Sequence, residues 1–215
     1  MVLSGEGSDE LLGGYMYNHF CPGPSEMHFE CVRKMKSLHF YDCLRANKAM
    51  SAFGVECRVP FLDKEVVDYL MNDISPMFKM SSTHPEGPKQ EKWILRNDFK
   101  LMFEGFEHIL NRQKDQFSDA VGSKWIESLI KYTDNEVSDK EFEELKSKHK
   151  FQPPQTKEAA FYRKIYHRHF MVTGKELVKY EASSKACSTT MASSWQKEVK
   201  SDPSAKYIKE SINSI

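Results

Sequence analysis

The 215-residue chain lacks the marks of several large protein classes. It carries no net charge, with 31 Lys and Arg against 31 Asp and Glu. Nucleic-acid and membrane-surface binders carry a positive excess, so neither kind of partner is expected. No apolar run approaches the roughly 18–20 residues that span a bilayer. The N-terminus lacks the basic-then-apolar pattern of a secretory signal. Cys21, Cys31, Cys43, Cys57 and Cys187 are odd in number, widely spaced and free of any CxxC pair. That spacing argues against a disulfide framework or a zinc site, and for reduced thiols in a cytoplasmic protein. Strands are scarce as well, and no internal repeat is present. The 29% of charged and 40% of apolar residues fit a helix-rich protein.

What is present begins with Ser4–Glu10 (SGEGSDE), where two glycines and two serines accompany three carboxylates. Met1-Val2-Leu3 reads as the end of a strand, and a short helix runs through Glu10-Leu11-Leu12 to Gly13-Gly14. A turn between the two lies where open α/β sheets bind ligands, beyond the carboxyl end of a strand. Main-chain N–H groups near Gly5 and Gly7 suit a phosphate or ribose. Asp9 is a hard oxygen donor of the kind Mg2+ takes singly or in pairs alongside phosphates. Glu6, at the apex, can move protons or orient an ammonia nucleophile. The plain alternative is an acidic helix start on a solvent loop, where Asp and Glu are favoured in any case. A Walker A loop is excluded, since no Gly-Lys-Ser/Thr follows.

Further along, Ser25 is the expected N-cap of a long helix over about residues 26–53, ended by Gly54. Within it Lys34, Leu38, Tyr41, Asp42 and Arg45 fall in an arc of roughly 100°. That face is either a cationic wall for a triphosphate or an ordinary Asp42–Arg45 surface pair. Val55–Val59 is extended because Pro60 follows, and Arg58 in it either pairs with a buried carboxylate or reaches a ligand. Asp63 caps a helix through Val66, Val67, Leu70 and Met71. Residues 75–88 form a loop, and helical periodicity returns from Lys89 to about Phe103. The polar loop Arg112–Gly122 carries Lys114, placed either to neutralise a leaving phosphate or simply in solvent. A helix is expected around Ser123–Tyr132. Ser138-x-x-Glu141 is a capping box, and Thr156 to about Phe170 is the last core helix. His167 and His169 point to different faces and do not form a ligand pair. The division expected is 1–172, followed by a polar, flexible tail over 173–215.

Three of these stretches together carry a resemblance. Ser4–Tyr15 (SGEGSDELLGGY), Tyr41–Asp63 (YDCLRANKAMSAFGVECRVPFLD) and Arg112–Gly122 (RQKDQFSDAVG) resemble, in order and spacing, the synthetase domain of glutamine-dependent asparagine synthetases. Lys157–Phe170 (KEAAFYRKIYHRHF) fits as well, so the resemblance covers about residues 1–170. It implies that the side-chain carboxylate of aspartate is activated with MgATP to an acyl-adenylate and pyrophosphate. Ammonia from glutamine, released in a separate glutaminase domain, then displaces AMP to give asparagine. It implies nucleotide contact by Ser4 and Gly5, a role for Glu6 around the adenylate step and a Mg2+–pyrophosphate role for Asp9. Lys114 would touch phosphate or the intermediate, with Lys34, Asp42, Arg45 and Arg58 lining the same pocket. The cofactors implied are ATP and Mg2+, and the resemblance leaves room for a homodimer of the full-length enzyme.

Two family features are missing from this sequence. Residue 2 is Val2, where the glutaminase domain has its catalytic cysteine, and no Ser-Gly-Gly-x-Asp-Ser pyrophosphate loop occurs anywhere. The expected fold is therefore mostly α: the C-terminal helical part of an α/β ATP-pyrophosphatase-type synthetase domain, with most of the parallel sheet absent. Alone, such a chain is expected to be inactive and to expose the face the rest of the sheet would cover. A β-lactam synthetase-like adenylating enzyme and a non-catalytic helical interaction module are the alternatives.

Overall fold

The computed structural model describes residues 1–79, 90–112, 114, 123–149, 153–170 and the pair 194–195. It divides into two compact units, broken between Lys114 and Asp115. The described part of the first comprises the residues up to Lys114 together with 194–195. The second runs from residue 123 to 170.

In the first unit the expected strand stub is real. β1 (Val2–Leu3) pairs in parallel with β2 (Cys57–Arg58), Val2 opposite Cys57 and Leu3 opposite Arg58. Val2 N–H donates to the Glu56 carbonyl and Ser4 N–H to the Arg58 carbonyl, each at 2.8 Å. α1 (Ser8–Leu12) follows, entered through Gly7 at φ 91° and left through Gly13 at φ 64°. Both angles are left-handed and favour glycine. Leu11 and Leu12 bury completely and anchor the short helix.

The single long helix is not what forms. α2 starts at Pro24, not behind a Ser25 cap, because a proline at the first helical position already has the right φ and needs no N–H partner. It ends at Ser37, whose hydroxyl donates back to the Arg33 and Lys34 carbonyls at 3.1 and 3.3 Å. Such back-bonding bends helices. The chain tightens into a 3-10 turn, Leu38–Phe40, that buries Leu38. Tyr41 (φ −119°, ψ −95°) then breaks the path, and α3 (Asp42–Ser51) begins afresh. Gly54 does end it, at φ 67°.

Asp63 caps α4 (Lys64–Asp68) as expected, accepting from Glu65 N–H at 2.9 Å. α4 runs on as a π turn over Tyr69–Asp73. The 75–88 loop starts with a 3-10 turn, Pro76–Lys79, and the rest of it lies outside the described residues. The helix expected from Lys89 is shorter. α5 covers Trp93–Asp98, because Lys92 sits at φ 55° and cannot belong to a right-handed helix. A 3-10 turn (Lys100–Phe103) and α6 (Glu107–Leu110) follow. Cys21, Met27 and Cys31 form a core cluster against which Met71 and Trp195 pack. Of the 112–122 loop only Arg112 and Lys114 are described, and of the expected tail only residues 194–195.

The second unit is a helical assembly of α7 (Ser123–Glu136), α8 (Asp139–Lys148) and α9 (Lys157–Phe170). Val137 and Ala160 are fully buried, and Tyr132 meets Phe161 edge-on with ring centroids 5.6 Å apart. Lys157 pairs with Asp139 at 2.7 Å and Lys164 with Glu141 at 2.8 Å. Ser138 caps α8, its Oγ accepting from Glu141 N–H at 3.2 Å. Ser138→Ala should cost about 1 kcal/mol, read as a lowered denaturation midpoint with an unchanged helical spectrum. No shift in the midpoint would show that the cap contributes nothing here.

Candidate functional site

The site grows out of the β1–α1 turn. An added Cβ at Gly7 would lie 2.2 Å from Leu62 Cδ2, so this glycine is required both by its φ and by close packing. Gly5 is different. An added Cβ there would meet only Ser8 Oγ, at 3.9 Å, so its main chain faces open space where a ligand can approach. Gly5 thus stands at the strand end with an exposed backbone, beside a half-buried Ser4 whose own N–H is taken by the Arg58 carbonyl.

Asp9, in the first turn of α1, draws in two lysines from distant segments. Lys92 Nζ lies 2.9 Å from its Oδ1 and also donates to Ser8 Oγ at 2.9 Å. Lys114 Nζ lies 3.7 Å from its Oδ2. Gly14 makes the room: a Cβ there would sit 1.9 Å from Asp9 Oδ1 and 2.5 Å from Lys92 Cε. Glu10, one residue on, turns inward and accepts a hydrogen bond from the Tyr15 hydroxyl. Burial pushes the carboxyl of Glu10 and the phenol of Tyr15 upward, and the charge of Glu10 adds to the rise at Tyr15. The Tyr15 ring stacks on Tyr17 at 5.4 Å between centroids. Lys34 Nζ, from α2, and Lys114 Nζ stand 4.8 and 5.3 Å from its centroid.

Glu6 faces the acidic side of this group. Its pKa is raised, by burial first and by Asp42 next, with Arg45 opposing and Asp9 adding to the rise. Asp42 and Arg45 form an i,i+3 pair at 2.6 Å. Glu6, Asp9, Asp42, Arg45 and Lys114 therefore lie around one turn, with Lys34 against the neighbouring Tyr15 ring. The break at Tyr41 means that Lys34 approaches from α2 and Asp42 and Arg45 from α3, not from one helix face. Arg58 stands apart: its Nη2 is 2.6 Å from Glu56 Oε1, and both side chains are exposed, so the carboxylate it pairs with is not a buried one.

Three participants were not singled out from the sequence. In the sequence Tyr15 is only the last residue of the Ser4–Tyr15 stretch, and Glu91 and Lys92 look like an ordinary helix start. Glu91 is 2% exposed and accepts from Lys114 N–H at 2.6 Å and from Arg96 Nη2 at 2.7 Å. His19 Nε2 lies 3.9 Å from its other oxygen. Burial pushes its carboxyl up, but His19, the Lys114 amide and the Arg96 charge more than reverse this and hold it below the ordinary carboxylate range. The only sequence signal was a Gln-Glu-Lys run ahead of Trp93, which any helix start can show.

Among the described residues no three His, Cys, Asp or Glu side chains gather as a ready metal cage. Asp9 Oδ1 is nevertheless buried without a hydrogen bond, held by Lys92 only as an ion pair. One such carboxylate in the first turn of α1 fits the donor chemistry of Mg2+, which takes few protein ligands. A separate cavity of about 400 Å³, lined by Leu12, Phe61, Tyr69, Leu70, Ile94 and Leu95 among others, includes none of the predicted site residues.

Fold and site together define a helix-rich protein with a glycine turn, a carboxylate group and converging lysines beyond a parallel strand end. A family model described as asparagine synthase matches residues 20–197. The glutamine-hydrolyzing asparagine synthetase of Brassica oleracea is 47% identical over 197 residues, covering 91% of this chain and 33% of that protein. That of Triphysaria versicolor is 47% identical over 214 residues, 96% of this chain and 35% of that protein. Asparagine synthetase 2 of Oryza sativa subsp. japonica is 47% identical over 91% of the chain. The chain belongs to the asparagine synthase family. It spans about a third of the length of these curated relatives.

Because Asp42 raises Glu6 by like-charge repulsion, Asp42→Asn should lower the pH at which Glu6 titrates. A carboxyl 13C titration reads this directly. A midpoint unchanged or raised would show that the two carboxylates do not face each other.

Proposed function

We propose that the protein containing this chain is a glutamine-dependent asparagine synthetase, and that residues 1–170 supply the turn-and-lysine half of its adenylating site. The observation that carries this is the convergence of Lys34 and Lys114 on Tyr15, with Lys114 also against Asp9, next to the turn that follows Ser4 and Gly5. Family membership supports it, as does the mostly helical fold with its small two-stranded parallel sheet.

In the reaction, a side-chain carboxylate oxygen of aspartate attacks the α-phosphorus of ATP and pyrophosphate leaves. Ammonia then attacks the acyl carbon, AMP leaves with the bridging oxygen, and one proton is lost from nitrogen. Gly5, through its exposed main chain, and Ser4, through its hydroxyl, hold the nucleotide. Lys114 and Lys34 meet the charge that builds on the departing pyrophosphate, which is where preorganised cations help most. Glu6, with its raised pKa, is suited to take the proton from the attacking nitrogen. Asp42 and Arg45 set the field around Glu6. Asp9 would hold Mg2+, which supplies positive charge to the leaving group. Lys92 and Lys114 balance Asp9 otherwise. The ammonia would come from a glutaminase domain, and a homodimer would be compatible with this scheme.

This sequence holds neither a glutaminase segment nor a Ser-Gly-Gly-x-Asp-Ser loop, so the 215-residue polypeptide on its own should not make asparagine. The test is AMP and asparagine formation from aspartate, ATP, Mg2+ and ammonium. The full gene product should turn over, and Lys114→Ala should lower kcat by about 10²–10³. Turnover of a different carboxylate in preference to aspartate would favour another amide-forming adenylating enzyme. Robust asparagine synthesis by the 215-residue polypeptide would refute its incompetence.

A further inference from the structure

Lys114 belongs to no helix or strand, so its main-chain N–H has no partner from secondary structure. Its side chain is a flexible four-carbon stem. Yet its ammonium arrives 3.7 Å from Asp9 and 5.3 Å from the Tyr15 centroid. Something outside the site must fix the backbone at this point.

That something is Glu91. Its carboxylate lies out of water, where an anion persists only if donors gather around it. One oxygen takes both the Lys114 N–H and Arg96 Nη2. Arg96 uses its remaining donors on the backbone: Nε bonds the Glu91 carbonyl at 2.9 Å and Nη1 bonds the Leu110 carbonyl. The Glu91–Arg96 knot therefore grips the chain at Leu110 and again at Lys114, bracketing the segment that delivers the lysine. His19 faces the far oxygen. The left-handed turn at Lys92 sends that residue's own side chain to Asp9 and Ser8. Two consecutive residues thus serve the site at both ends.

We propose that Glu91 is a positioning residue: it touches neither substrate nor metal, and holds Lys114 in the site through that lysine's main-chain N–H, with Arg96 as the shared clamp. The inference rests on the adenylating role given to Lys114 above, but the hold itself has its own readout.

The experiment uses the full gene product with Glu91→Ala, the shape-preserving Glu91→Gln, Lys114→Ala, and the Glu91→Ala/Lys114→Ala pair. Glu91→Ala should lower kcat for ATP- and aspartate-dependent pyrophosphate release by about 10–100-fold. The KM values for both substrates should stay nearly constant. The double variant should match Lys114→Ala within about twofold, the coupling expected when one residue acts through the other. Amide exchange at Lys114 should quicken by about tenfold or more in Glu91→Ala, while exchange in α7–α9 stays unchanged. Losses that multiply in the double variant would overturn the proposal, as would unchanged exchange at Lys114. If Glu91→Ala does not fold, Glu91→Gln carries the same readouts at smaller amplitude, since its neutral amide oxygen accepts the Lys114 N–H and Arg96 more weakly than a carboxylate does. A Lys114→Ala enzyme with undiminished turnover would defeat the adenylating role of Lys114. The exchange result would then decide the hold on its own.

Discussion

The half-buried carboxylate of Asp9 must be met by positive charge, and both ammonium groups that meet it come from far along the chain. Lys92 is 83 positions away and Lys114 105 away. Each needs its own support. Lys92 needs a left-handed backbone and the space left by Gly14. Lys114 needs the buried Glu91. Asp9 in turn needs α1, which is only five residues long and is held by Leu11 and Leu12 in the core. A charge on one short helix thereby ties the strand-end turn, the segment before α5 and the loop after α6 into a single site.

This arrangement has a consequence for binding. Under the proposed function, cations already held against carboxylates and an aromatic face would need little reorganisation to meet a polyphosphate. The lysines would exchange one set of negative oxygens for another. Glu10 and Tyr15, buried beneath them and sharing a hydrogen bond, keep the phenol protonated and give the lysines a fixed platform. Electrostatic preorganisation of this kind contributes most when charge builds on a leaving group.

Features set by local chemistry could be read from the sequence. The strand stub, the turn, the Gly13 stop, the Asp63 cap and the Ser138 capping box all follow from residues within four positions of each other. Glu6, Asp9, Asp42, Arg45 and Lys114 could be named because they sit in the quoted motifs, and Lys34 from its helical spacing to Asp42 and Arg45. The break between α2 and α3 was not, because the apolar period runs through it. Only Ser37 back-bonding and the demand of Leu38 for the core interrupt the helix. Glu91 and Lys92 were illegible for a related reason. A buried Glu and a left-handed Lys are chosen by tertiary partners, and a single sequence shows neither. Arg58 misled for the opposite cause: its apolar neighbours suggested burial, yet its own side chain turns outward to Glu56.

The central claim is that this group of cations and acids serves attack on the α-phosphorus of ATP. The most direct measurement follows oxygen from aspartate labelled with 18O in its side-chain carboxylate, using the full gene product with ATP, Mg2+ and ammonium. Adenylation predicts that AMP carries one 18O atom for each asparagine made. Label in inorganic phosphate, with unlabelled nucleotide, would place the attack on the γ-phosphorus and contradict the account.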